Sequence, residues 1–73
     1  MNANAMNADQ LIYAANAMEA FGGGFVSQIA RAYYAADLGN RARLVAAFGD
    51  LFERYGPGSG FYEMILAREN VNG

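Results

Sequence analysis

Apolar residues recur along this chain at helical spacing, and clusters of glycine separate the runs. In the first run Leu11, Ile12, Ala15 and Met18 share one face, while Tyr13 and Asn16 fall away from it. Asn7 is suited to cap this helix, with Asp9 in the first turn and Gln10 at the reciprocal capping position. A helix is predicted over residues 8–21. In the second run Phe25, Val26, Ile29, Tyr33 and Ala36 form a stripe of about 100°, the width of a core-facing helix. That predicts a helix over 25–37, with Tyr33 inward and Tyr34 outward. The third run is the cleanest. Leu44, Val45, Phe48, Leu51, Phe52 and Tyr55 lie in a narrow arc, predicting a helix over 41–55 with Asn40 as its cap. Gly49 interrupts that run, as a kink or as the point where one helix stops and another starts.

Gly22-Gly23-Gly24, Gly39-Asn40 and Gly56-Pro57-Gly58-Ser59-Gly60 are the separators, since glycine readily takes the conformation that ends helices. A last helix is predicted over 61–69. Its apolar residues, Phe61, Tyr62, Met64, Ile65 and Leu66, spread widely around the wheel. Such a helix is buried on two sides or docks against a second chain. Val, Ile and Thr are few and Ala is the commonest residue, so no segment reads as a strand. The expected fold class is all-α, a small three- to four-helix bundle completed by oligomerisation. Residues 1–7 are expected to be a disordered lead-in to one helical domain over residues 8–71.

Composition narrows the function. The chain has 73 residues, 55% of them hydrophobic and 16% charged, with no Cys and no His. Lys, Thr and Trp are absent too. Those gaps remove zinc fingers, Cys or Ser–His nucleophiles, and the usual haem and iron–sulfur ligation. They also remove a disulfide framework. No metal site and no cofactor is expected, and no enzyme activity. A net charge of −2 argues against wrapping duplex nucleic acid. Seven carboxylates offset by five Arg do not make a row that imitates phosphates. No apolar stretch approaches the length of a membrane span, and residues 1–7 lack the features of a targeting signal. The expected location is the cytoplasm, without membrane contact.

Twelve charges are few for so small a domain, and Ala and Asn fill the surface in their place. A neutral, small-featured surface suits an oligomer or a partner patch. A homo-oligomer is expected, most simply a two-fold dimer.

The elements Gly23-Gly24-Phe25-Val26, Ala36-Asp37, Asn40-Arg41, Ala47-Phe48 and Phe52-Glu53-Arg54-Tyr55 recur in this order in another setting. Over this stretch, nearly half of the chain, the sequence resembles a family of small helical proteins encoded by bacteriophages and prophages. Most of the shared positions are caps and core. The family often carries Pro at the position of Gly49, which implies a helix break there. The resemblance implies a phage context and supplies no mechanism.

The candidate sites are contact sites. Arg41 and Arg43 fall in the predicted first turn of the third helix, where the dipole disfavours cations. With Arg31, Tyr34 and Tyr13 they form a candidate partner or anion patch, because Arg and Tyr supply interface anchors. The simpler alternative for Arg41 is an intramolecular pair with Asp37 or with a carboxylate of the first helix. Gly58, Ser59 and Gly60 precede a helix and can present amides to an anion. No Lys-Ser/Thr follows and no strand precedes them, so neither a Walker loop nor a dinucleotide fingerprint is present. The bland reading of this loop is an inter-helix connection. Glu19, at the edge of an apolar face, can pair with Arg31 or Arg41. The first functional expectation is a phage-type protein that binds a host protein and inhibits it by steric contact. A nucleotide- or small-ligand-sequestering oligomer is the alternative, and a structural phage component a further one.

Overall fold

The computed structural model describes residues 2–71, and every regular element among them is helical. A 3-10 turn at Ala3–Ala5 precedes five α-helices. These are α1 (Ala8–Phe21), α2 (Gly23–Ala35), α3 (Leu38–Ala47), α4 (Gly49–Arg54) and α5 (Gly60–Val71).

The N-terminal segment does not fit the expected disordered lead-in. Asn2 caps the 3-10 turn by accepting the Asn4 amide at 2.9 Å. The Ala3 amide donates to Glu53 Oε2 at 3.1 Å, and Ala3 and Met6 are both buried. Two apolar side chains three residues apart pack against α4, Ala3 over Gly49 and Met6 over Gly56. Burying them offsets the cost of ordering the segment.

Asn7 and Gln10 close a reciprocal capping box at the start of α1, with bonds of 2.8 and 2.9 Å. Ala14, Ala15, Ala17 and Met18 of α1 are wholly buried. Their small side chains let neighbouring helices approach closely, and α1 packs against α2, α4 and α5. Gly22 ends α1 at a point where only glycine fits. A Cβ there would lie 2.3 Å from Val26 Cγ1 and 2.4 Å from the Met18 carbonyl oxygen. The chain turns at Gly22, and α2 starts at Gly23, before the expected Phe25.

The junction of α2 and α3 corrects the sequence reading. Ala36 is extended, so α2 stops at Ala35. Asp37 then caps α3, accepting the Asn40 amide at 2.8 Å. Asn40, the expected cap, lies inside the first turn. A carboxylate at a helix N-terminus adds charge to the hydrogen bond, and that favours the earlier start.

At Gly49 the structure shows a stop and restart. Phe48 leaves helical geometry (φ −122°, ψ 31°), its amide still bonded to Leu44 O at 2.8 Å. The Leu51 amide then bonds Phe48 O at 2.9 Å and opens α4. Ala3 sits over the break, where a Cβ on Gly49 would be 3.6 Å from the Ala3 Cβ. Phe52 is the largest fully buried side chain, 5.3 Å from the Tyr33 ring. Gly56 closes α4 against the N-terminal segment, since a Cβ there would meet Met6 Cε at 2.9 Å.

Candidate binding surfaces

The five residues of the expected Arg–Tyr patch do not form one exposed surface, because Arg41, Tyr34 and Tyr13 are engaged within the fold. Arg41 turns back onto the end of α2. Its Nε donates to the Tyr33 carbonyl at 2.9 Å and its Nη2 to the Tyr34 carbonyl at 3.3 Å. The guanidinium carbon lies 4.7 Å from the centre of the Tyr33 ring. The last carbonyls of a helix have no partner within it and carry partial negative charge, so a cation is favoured there. Because α3 starts at Leu38, Arg41 lies past the first turn and the expected conflict with the α3 dipole is small. It is an intramolecular cap, and its partners are carbonyls rather than Asp37 or a carboxylate of α1.

Tyr34, expected to be exposed, is half-buried. Its hydroxyl donates to Asn16 Oδ1 at 2.5 Å, tying α2 to α1. Burial, and then the nearby Glu19 charge, push its pKa up to about 12. Both disfavour phenolate. Tyr13 is also half-buried, its ring edge-on to Tyr62 at 6.3 Å and 87°. Tyr62 is buried, and its pKa is raised by that burial and by Tyr13, Glu63 and Asp9.

Two arginines of the patch do face solvent. Arg31 Nε pairs with Glu19 Oε2 at 3.4 Å across α1 and α2, an exposed pair. Arg43 donates to Asn40 Oδ1 at 3.4 Å and borders a shallow alanine-lined hollow between α2 and α3. The glycine loop is a cap: Ser59 Oγ accepts the Tyr62 amide at 3.1 Å and starts α5. That use of Ser59 Oγ supports the connection reading of Gly58-Ser59-Gly60.

On α5, Tyr62 and Ile65 are buried and Leu66 is half-buried, whereas Phe61 and Met64 remain on the outer side, 39% and 52% exposed. Phe61 stacks between Tyr55 (4.8 Å) and Phe21 (5.6 Å), and Arg68 covers the Phe21 ring at 5.3 Å. Phe25, expected on the core-facing stripe, is instead 63% exposed at the start of α2, ahead of the stretch that packs on α1, and touches Phe48 edge-on at 5.9 Å. These are the amphipathic leftovers of the fold.

A groove that sequence reasoning missed lies between the N-terminal turn, α1 and α3. It measures about 430 Å³, within the range of ligand clefts, and Met6, Leu11, Ile12 and Val45 line it. Asp9 and Arg41 are its charged groups. Leu38 lies at its edge and is 83% exposed. One wall comes from a segment expected to be disordered, which is why the groove was hidden. The available signal was Met6 three residues after Ala3, followed by a strong cap at Asn7.

Among the described residues no carboxylate is buried, and no three acidic side chains gather where a metal could bind. No described helix is long and apolar enough to cross a membrane. No protein family, curated protein or solved structure matches this chain.

Proposed function

We propose that this chain is a small interaction protein of the phage type, which binds a host protein in the cytoplasm and inhibits it by occupying a surface. It carries out no chemistry of its own. The observation that carries this reading is the set of large apolar side chains left outside a completed core: Phe25, Phe61 and Met64. Burying such side chains against a partner contributes about 1.5–3 kcal/mol each for a full transfer from water. Apart from Leu38 and the groove beside it, a surface with so few charges offers little else of comparable affinity.

The Arg and Tyr anchors expected from the sequence contribute less to this reading, because Arg41 and Tyr34 are engaged within the fold. The nucleotide-sequestering alternative has little to draw on. Arg31 is paired with Glu19, the Nε–Nη2 edge of Arg41 with two carbonyls and Ser59 with the Tyr62 amide, which leaves that alternative Arg43 and one end of Arg41.

The test is quantitative capture from a host lysate with immobilised wild type and with a Phe25→Glu/Met64→Glu double variant. Both changes are at exposed positions, so circular dichroism should be unchanged. A host protein retained by wild type and lost by the variant supports the proposal. Equal recovery on both, or none on either, overturns it.

A further inference from the structure

We propose that the face around Leu38 joins two copies of this chain in a two-fold dimer, each Leu38 entering the groove of the other copy. A two-fold interface is self-complementary: one patch must carry both a projection and the hollow that receives it, and both signs of charge. This patch carries all of these.

The projection is Leu38. It is 83% exposed, more than any other large hydrophobic side chain among the described residues. It is also held in place, because Asp37 Oδ1 fixes the first turn of α3 through the Asn40 amide at 2.8 Å. A side chain on a fixed backbone loses less freedom on docking than one on a loop. The hollow is the groove of about 430 Å³ beside it, with aliphatic walls at Met6, Leu11, Ile12 and Val45.

The charges complement each other across a two-fold axis. Asp9 and Arg41 both line the groove, with opposite signs. A guanidinium has five N–H groups in a fixed fork. In Arg41 the edge formed by Nε and Nη2 is taken by the Tyr33 and Tyr34 carbonyls. The Nη1 end of the fork is left to donate to a carboxylate. In the dimer that carboxylate is the partner's Asp9, and the partner's Arg41 receives Asp9 in return.

Gly39 keeps the same face open. It lies in the first turn of α3 next to Leu38, and its φ is not positive. A Cβ there would meet only Asp37 Oδ1, at 3.8 Å. Nothing within the chain calls for glycine where alanine is the better helix former. The bare backbone leaves room there for a second chain.

Sedimentation equilibrium from micromolar to millimolar concentration tests the dimer. The wild type is expected to pass from 7.8 kDa to twice that mass. Leu38→Asp is expected to weaken association by roughly tenfold or more while the helical signal stays unchanged. Asp9→Arg, which sets like charges against each other, is expected to weaken it as well. In a sample mixed from labelled and unlabelled chains, intermolecular NOEs are expected from the Leu38 methyls to those of Ile12 and Val45. A wild type that stays at 7.8 kDa at millimolar concentration overturns the proposal and leaves the groove to a foreign ligand. A dimer that Leu38→Asp does not weaken, or one without those NOEs, overturns it too.

Discussion

Arg41 binds Tyr33 twice: its guanidinium lies 4.7 Å from the tyrosine ring centre while its Nε donates to the same residue's carbonyl at 2.9 Å. One side chain thus closes the C-terminus of α2, covers a buried aromatic and joins α2 to α3. Charge, hydrogen bonding and packing all favour the same geometry. The corner between α2 and α3 is therefore fixed, and with it the position of Leu38.

Arg41→Ala should destabilise the fold by about 2 kcal/mol, from the loss of charged hydrogen bonds to carbonyls that then rely on water. Arg41→Lys should recover only part of this, because an ammonium lacks the planar fork that reaches two carbonyls and stacks on a ring. Urea denaturation of the three proteins checks the order. Wild type and Arg41→Ala of equal stability would remove the capping role.

Tyr34 makes stability fall at high pH. Its pKa is about 12 in the fold against the ordinary 10.0, so the folded chain retains a proton that the unfolded chain releases. The contribution is fully present below about pH 10 and is lost as pH rises through about 12. Phenolate absorbance should show a phase near pH 12 from Tyr34, besides the raised titration of Tyr62, and Tyr34→Phe should remove the phase near pH 12. The same change deletes the bond to Asn16, at a cost of about 1 kcal/mol at neutral pH.

Asp37 and Asn40 offer a direct comparison of caps. Asp37→Ala should cost about 1 kcal/mol, the usual range for a lost N-cap. Asn40→Ala should cost much less, since its side chain makes only a long exposed bond to Arg43. Thermal unfolding separates them, because about 1 kcal/mol shifts the midpoint by about 4–8 °C in a domain of this size. The reverse order would place the start of α3 at Asn40.

Met6 tests the ordered N-terminus. Met6→Ala removes a buried side chain that packs near Gly56 and should cost about 2 kcal/mol or more. Hydrogen exchange at the Ala3 amide, bonded to Glu53, should be slowed in the wild type and accelerated in the variant. Unchanged stability together with fast exchange in both would return this segment to a disordered lead-in.

The helical class was legible because its signals are local. The capping pair Asn7 and Gln10, the glycine punctuation, and the stripes ending in Tyr33 and in Phe52 are all read within a turn or two of helix. The inward choice of Tyr33 over Tyr34 followed from that periodicity. The stripe across Gly49 was also real, but periodicity does not distinguish one helix from two that share a face. Gly49 marked the interruption and left both a kink and a restart open.

What local pattern left undecided was which surfaces meet. Tyr34 looks outward on its own helix, and only the placement of α1 brings Asn16 to its hydroxyl. Arg41 looks free until the last carbonyls of α2 face it. The N-terminal residues look dispensable until Glu53 and the rest of α4 lie beneath them, some fifty positions later in the chain. Helix identity follows from backbone propensity and periodicity, which neighbouring residues set among themselves. Burial, capping between helices and the groove beside Leu38 follow from contacts between distant segments, and packing alone decided them.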